Sequence, residues 1–144
     1  MTIATFVLAA MTLLAPGRDH QELAGSITRV VESEPPLPGR DRRATAALVV
    51  AIAFRESTFK NDTVSATNDH CAMQIHARPE LRRDVDACIR VGLAMLRASF
   101  RVCPAHPIAF YAVGPTGCTN ARGQRISRDR VALAAHLVRK VKDP

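Results

Sequence analysis

Residues 42–59 read RRATAALVVAIAFRESTF. Between residues 44 and 54 almost nothing is polar, a pattern typical of a helix that is buried on all sides. Residues 58–70 are instead rich in Asn, Asp, Thr and Ser, which indicates an irregular segment. The sequence therefore predicts a central buried helix over 42–56, which ends in a carboxylate, Glu56, at the place where the core opens into a cleft.

Amphipathic patterns predict further helices on both sides of this central helix. Apolar residues recur at helical spacing up to about residue 33, and the prolines within 34–39 end that pattern. The same spacing over 84–101 predicts a second long helix, and Ser127 is predicted to cap the last helix. We therefore predict a mostly α single domain with a small irregular or β excursion between the central helix and the helix at 84–101.

Length and composition exclude several classes of protein. The chain has 144 residues, which suits one domain with a sizeable core. Hydrophobic residues make up 47% and charged residues 23%, a globular rather than a disordered composition. No apolar run approaches the length of a membrane span, so a multi-spanning membrane protein is excluded.

The charge balance is basic, with a formal net charge of +7 at pH 7. The Lys and Arg residues are spread along the chain, which fits a polyanionic partner such as nucleic acid, anionic lipid or cell wall. A solvated, solubilising surface is the alternative interpretation. Aromatic residues make up only 4% and Trp is absent, which argues against a surface that stacks on bases.

The four cysteines, an even number in a small chain, predict two disulfides and an oxidising compartment. Cys88 and Cys103 lie at opposite ends of one predicted helix, roughly 20 Å apart at its rise per residue. A disulfide needs Cα atoms within about 7 Å, which leaves two connectivities. We favour Cys71–Cys88 with Cys103–Cys118, because both loops are then short.

Two other interpretations of the cysteines stay open. Cys71 with His76 and Cys103 with His106 offer possible metal ligands, but neither spacing is a common zinc-finger one, and we predict no metal. The cysteines could also be buried thiols in a reducing cytosol.

The N-terminal segment has two interpretations. Residues 3–15 are apolar and have the length of a signal peptide. No Lys or Arg precedes them, however, and Pro16 follows the small residue at which cleavage would occur. The alternative is a buried N-terminal helix, so we divide the chain into an apolar segment 1–18 and a domain over 19–144.

Glu56 is the residue of most chemical interest. A carboxyl group partly removed from water has a raised pKa, because burial disfavours the charged form. Such a group can deliver a proton near neutral pH, as a general acid at a glycosidic oxygen must. The alternative is a surface carboxylate at a helix end that pairs with a nearby Arg.

Three sequence blocks carry a family resemblance. ESTF at 56–59, CAMQI at 71–75 and FYAVG at 110–114 resemble, in this order, the E-S-x-F, G-L-M-Q-[IL] and A-Y-N-x-G blocks of the lysozyme-like lytic transglycosylases. The stretch 86–96 also looks like the helix that follows the second block in that family. The resemblance covers residues 42 to about 120 and implies a lysozyme-like domain.

The resemblance implies a role for each matching residue. Glu56 would be the catalytic acid and base, and Ser57 would orient it or bind the N-acetyl group of the sugar. Met73 and Gln74 would line the floor of the sugar cleft. Tyr111 would hydrogen-bond near Glu56 and hold it in position.

This chain departs from the family pattern in two blocks. Cys71 and Ala72 stand where the family usually has Gly and Leu, and a disulfide at Cys71 could replace the tight packing of the glycine. Ala112 stands where the family usually has Asn, which removes a polar side chain from the cleft wall. That change favours the alternative of an inactive wall-binding module.

The resemblance implies cleavage of the β-1,4 bond between N-acetylmuramic acid and N-acetylglucosamine in peptidoglycan. A lytic transglycosylase needs one carboxylate and leaves 1,6-anhydro ends. An inverting hydrolase needs a second carboxylate about 6.5–9.5 Å away. Asp62 and Asp69 are the nearby candidates, with loop capping as their alternative role.

We therefore expect a lytic transglycosylase, with a lysozyme-type hydrolase, an inactive wall-binding module of the same fold and a small nucleic-acid-binding protein as alternatives. The expected partner is the peptidoglycan glycan strand, with possible association with anionic cell wall and no nucleic acid. We expect a monomer without a cofactor, exported to the periplasm or the cell exterior, or phage-associated.

Overall fold

A computed structural model describes residues 1–142 of the chain. The α-helices in this part of the chain are α1 (Ile3–Leu14), α2 (Gln21–Ser33), α3 (Arg42–Ser57), α4 (Val85–Val102), α5 (Ala109–Val113) and α6 (Ala121–Lys140). Two short antiparallel strands, β1 (Asp69–His70) and β2 (Ile75–His76), form a hairpin between α3 and α4. The predicted mostly α domain with a small β excursion after the central helix is confirmed.

Helix α3 is the centre of the core. The Asp41 carboxylate caps it by accepting a hydrogen bond of 2.7 Å from the backbone N–H of Ala44. Every side chain from Thr45 to Ala53 is buried, because α1, α2 and α6 pack around the helix. Because other helices cover α3 on several sides, this helix has no polar face.

The apolar N-terminal segment forms α1, which packs against α2 and α3. Phe6, Val7, Ala10 and Met11 are fully buried in the same core as α3. Helix α1 is thus part of the hydrophobic core of the domain. Among residues 1–142, none of the helices combines the length and the apolar character that crossing a membrane requires.

The last helix begins earlier than the sequence predicts. Asn120 caps α6 by accepting hydrogen bonds from the N–H groups of Arg122 and Gly123. Ser127, the predicted cap, lies buried within the helix, and its hydroxyl accepts a 3.0 Å hydrogen bond from the backbone N–H of Ile108. Ser127 thus satisfies an N–H group at the start of α5, because tertiary packing brings the two together.

Two disulfides link the excursion and the end of α4 to their neighbours. Cys71 pairs with Cys88, with Cα atoms 6.3 Å apart, and Cys103 pairs with Cys118 at 5.2 Å. The favoured connectivity is confirmed, and with every cysteine in a disulfide no thiolate is left to bind a metal. Two such bonds indicate that the protein folds in an oxidising compartment.

Candidate active site

The segment between α3 and α4 has an unusual backbone. Helix α3 ends because Thr58 takes a left-handed conformation with φ of 50°. Positive φ is uncommon for residues other than glycine and tends to cluster at functional sites. The non-glycine residues with positive φ in the described chain all fall in this segment: Thr58, Phe59, Asn68, Cys71, Gln74 and Ala77.

The β hairpin, the end of α3, α4 and α5 enclose a cleft of about 500 Å³, which we call the Glu56 cleft. A volume of this size is typical of small-molecule sites. Its lining residues are Glu56, Ser65, Asp69, Gln74, His76, Met95, Tyr111, Ala112 and Val113. The structure therefore brings the predicted residues Glu56, Gln74 and Tyr111 to one place.

Glu56 lies on the last turn of α3 with 26% of its side chain exposed. Its Oε1 atom is 3.4 Å from Nη2 of Arg130, which comes from α6. Burial raises the pKa of Glu56 above its usual range, the positive charge and hydrogen bond of Arg130 oppose that rise, and the negative charge of Asp69 adds to it. The net effect is a carboxyl group that holds its proton to a higher pH than an ordinary Glu.

Arg130 is the site residue that the sequence reasoning missed. Its Nη1 atom is 2.7 Å from the Asp129 carboxylate, which also pairs with Arg55 at 3.1 Å. Its Nε atom is buried and has no hydrogen-bond partner among the described residues. Arg130 lies outside residues 42–120, where the resemblance applies, and no local pattern distinguishes it from the neighbouring surface arginines.

Asp69 is a second carboxylate in the Glu56 cleft. Ser65 donates a hydrogen bond of 3.0 Å to its Oδ2 atom, Thr67 donates another, and Nδ1 of His76 lies 3.1 Å from Oδ1. Burial tends to raise the pKa of Asp69, but these hydrogen bonds and the proximity of His76 lower it below its usual range. The two carboxylates of the cleft thus have pKa values shifted in opposite directions, a pattern typical of acid and base pairs.

Asp62, the other candidate for a second carboxylate, lies elsewhere. It lines a separate cavity together with Arg18, Glu22 and Arg82. Of the two candidates named from the sequence, the structure therefore brings only Asp69 into the Glu56 cleft.

Ser57 does not line the Glu56 cleft. Its side chain is buried, and its hydroxyl lies 2.9 Å from the backbone oxygens of Ala53 and of Ala72. Ser57 therefore ties the end of α3 to the turn at 71–74, and its hydroxyl is already engaged with the backbone. It contributes to the site by holding these two segments together.

Gln74 lines the Glu56 cleft, whereas Met73 does not. The Met73 side chain is fully buried and packs closely against Gly92 of α4 instead of lining the cleft. Gln74 has a φ of 54° and lines the cleft, and its Nε2 atom donates a 2.9 Å hydrogen bond to the backbone oxygen of Cys71.

Tyr111 lines the cleft but does not hydrogen-bond to Glu56. Its hydroxyl donates a 2.6 Å hydrogen bond to the backbone oxygen of Met73. Burial, and to a lesser extent the charge of Glu56, raises the pKa of Tyr111 well above its usual range, so the phenol stays protonated as a donor. Tyr111 thus positions the turn that carries Gln74, and it contributes to the wall of the cleft that contains Glu56.

The two departures from the family pattern lie at different depths. Cys71 is buried with a φ of 66°, a conformation that favours glycine, and its disulfide to Cys88 holds the turn in that conformation. Ala112 lies on the wall of the cleft itself, next to Tyr111. The structure therefore gives a physical reason for the cysteine but leaves the cleft wall without the amide side chain of the family pattern.

No family model, curated protein or solved structure matches this chain. The chemistry of the site is therefore inferred from the residues and geometry of the Glu56 cleft.

Proposed function

We propose that this protein is a peptidoglycan-cleaving enzyme, a lytic transglycosylase in which Glu56 is the catalytic acid and base. The observation that carries the proposal is the setting of Glu56. It lies at the end of a buried helix, in a cleft of about 500 Å³, with a pKa raised chiefly by burial. That combination suits a group that gives a proton to a glycosidic oxygen.

The proposed reaction needs one carboxyl group. Glu56 donates its proton to the oxygen that joins N-acetylmuramic acid to N-acetylglucosamine, and the bond from C1 of the muramyl ring to that oxygen breaks. The N-acetyl group of the muramyl ring stabilises the positive charge at C1. The oxygen of the C6 hydroxyl of the same ring then bonds to C1 while Glu56 takes the proton of that hydroxyl. This step closes the 1,6-anhydro ring and restores the protonated carboxyl group of Glu56.

The neighbours of Glu56 support this role by position rather than by contact with the sugar. Arg130 holds one carboxylate oxygen at 3.4 Å, which restricts the rotation of the side chain. Ser57 and Tyr111 both hydrogen-bond to the backbone of the turn at 71–74, so the turn and the end of α3 keep a constant separation. Such prearrangement of reacting groups is a large part of enzymatic rate enhancement.

A lysozyme-type hydrolase is the second candidate, because one observation favours it. Asp69 shares the cleft with Glu56 and keeps its charge through hydrogen bonds from Ser65, Thr67 and His76. A second charged carboxylate could activate water or stabilise the developing positive charge at C1.

The proposed place of action is the bacterial cell wall, with peptidoglycan glycan strands as the partner. The disulfides fit an exported enzyme of the periplasm or the cell exterior, or a phage-associated one.

The decisive experiment is mass spectrometry of purified peptidoglycan after digestion. We expect anhydro-muropeptides from the wild type and a loss of about 100- to 10,000-fold in rate for Glu56→Gln, because a neutral amide can act neither as a general acid nor as a general base at this position. Glu32→Gln, an exposed change of the same kind, is the matched control and should digest like the wild type. Unchanged cleavage by Glu56→Gln would refute the assignment, and wild-type protein with intact disulfides that releases nothing would favour an inactive wall-binding module.

The same digestion separates the two kinds of chemistry. We expect Asp69→Asn to leave anhydro ends as the product, because intramolecular attack by the C6 hydroxyl needs no second carboxylate. Asp62→Asn is the matched control, since Asp62 lies in another cavity. Reducing-end muropeptides from the wild type, lost in Asp69→Asn but kept in Asp62→Asn, would instead assign a hydrolase.

A further inference from the structure

The exposed side of α6 carries a row of positive charges. Three of the cations, Arg122, Arg125 and Arg128, are three residues apart, and Arg139 follows Arg128 after eleven residues, or about three helical turns, so these side chains project from one face of the helix. We call this the α6 basic face; its charged residues are Arg122, Arg125, Arg128, Arg139 and Lys140, all exposed.

Within residues 1–142, none of these charges forms an ion pair with a carboxylate. Asp129 is the only acidic residue of α6, and its carboxylate is engaged by Arg55 and Arg130 at the edge of the Glu56 cleft. Some exposed arginines elsewhere in the described chain do have acidic partners, as Arg29 has Asp86 at 2.8 Å. The α6 basic face therefore presents uncompensated charge, which attracts polyanions over distances of about a Debye length.

The shape of the face limits what it can bind. From Arg122 to Lys140 the helix rises about 27 Å, so the cations of this face can contact several charges of one linear polymer at the same time. The exposed residues between the cations include Ala132, Ala135 and His136, and α6 contains no Phe, Tyr or Trp. The face thus lacks the large apolar groups that insert into a bilayer and the Phe, Tyr and Trp rings that stack on bases.

We propose that the α6 basic face binds a phosphodiester polymer attached to the cell wall. Arg guanidinium groups pair well with phosphate oxygens, and a flexible chain can follow a straight row of them. The choice of a wall polymer rests on the proposed function. Because α6 also supplies Arg130 to Glu56, a polymer held on this face keeps the Glu56 cleft close to its glycan strand.

The test measures binding of Glu56→Gln protein to purified cell-wall sacculi, so that the wall is not digested. One sample of sacculi keeps its covalently attached phosphodiester polymer, and the other has been stripped of it. The test variant adds Arg122→Gln, Arg125→Gln and Arg128→Gln. The matched control adds Arg82→Gln, Arg83→Gln and Arg101→Gln, which removes the same charge from other exposed positions.

We expect the test variant to lose at least about tenfold in affinity for polymer-bearing sacculi, or about 1.4 kcal/mol. The matched control should stay close to the parent protein, and added salt should weaken parent binding because the charges are exposed. Thermal unfolding of all variants checks that each is folded.

Three results would overturn the inference. Equal losses in the test variant and the matched control would show that net charge, not this face, governs binding. Equal parent binding to stripped sacculi would show that the polymer is not the partner, and tighter binding to duplex DNA than to the polymer would assign a nucleic-acid surface. Because no step requires cleavage, a failure here is distinguishable from a wild-type protein that releases no muropeptides, which is the failure of the proposed function.

Discussion

Glu56 shows how two opposing effects set the state of one residue. Its burial favours the neutral acid, and the Arg130 guanidinium favours the carboxylate. Asp69, on β1, and Tyr111, on α5, also face it, and the negative charge of Asp69 favours the neutral form. The balance leaves the pKa raised, so a catalytic acid in the protonated form persists to a higher pH.

Replacing Arg130 tests that balance. In Arg130→Met the guanidinium that lowers the pKa of Glu56 is lost, so the pKa should rise further. A general acid works while protonated, so the alkaline limb of the kcat/KM profile should move to higher pH. Arg130→Lys should move it less, because it keeps a positive charge. The measurement is peptidoglycan cleavage as a function of pH.

Arg55→Met is the matched control for Arg130. It also removes a guanidinium that pairs with Asp129, at 3.1 Å, but none of its described hydrogen bonds or ion pairs reaches Glu56. Its pH profile should stay close to that of the wild type. Identical profiles for the Arg130 variants and the wild type would mean that the 3.4 Å pair does not influence the acid.

At the scale of elements, the Glu56 cleft depends on close backbone contacts. The short turn that follows α5 packs so tightly on that helix that a Cβ added to Gly117 would lie 2.2 Å from the backbone oxygen of Ala109. Backbone atoms cannot move aside as a flexible side chain can. Gly117 is therefore required by the approach of two segments rather than by its own conformation.

We expect Gly117→Ala to destabilise the protein by about 1–3 kcal/mol or more, because α5 must shift away from the turn. Gly25→Ala is the matched control, since its added Cβ would meet only the flexible end of Arg29, at 3.2 Å. A helical glycine replaced by alanine gains roughly 0.5–1 kcal/mol, so this control should be neutral or more stable. Chemical denaturation measures both, and equal stability of the two variants would contradict the packing argument.

At the scale of the whole molecule, the N-terminal helix belongs to the common core. Phe6, Val7 and Met11 of α1 are almost completely buried against α2 and α3. Each large apolar side chain buried in this way contributes roughly 1.5–3 kcal/mol. Their sum is comparable with the total stability of a small domain.

Removal of residues 1–18 should therefore strongly destabilise the domain. We expect the shortened chain, with its disulfides formed, to unfold at a much lower temperature or to aggregate through the uncovered face of α3. The measurement is thermal unfolding of the full and shortened chains. An equal Tm for the two would show that α1 adds nothing to the core and would favour the signal-peptide interpretation of this segment.

The sequence by itself determined the features that depend on neighbouring residues. The buried α3, the mostly α architecture and the disulfide pairing all follow from local periodicity and short loops, and the structure confirms them. Local patterns misplaced the start of α6, because the Ser127 hydroxyl accepts a hydrogen bond from the distant backbone N–H of Ile108 and does not cap its own helix.

The tertiary structure alone decided which groups surround Glu56. Arg130 lies 74 residues away in sequence, and no local pattern encodes so distant a contact. The fold places Asp69 in the Glu56 cleft and Asp62 in another cavity, although both lie in the same polar segment. It also buries the side chains of Ser57 and Met73. The physical reason is that side-chain direction depends on how elements pack, which is settled only when the whole chain buries its apolar surface together.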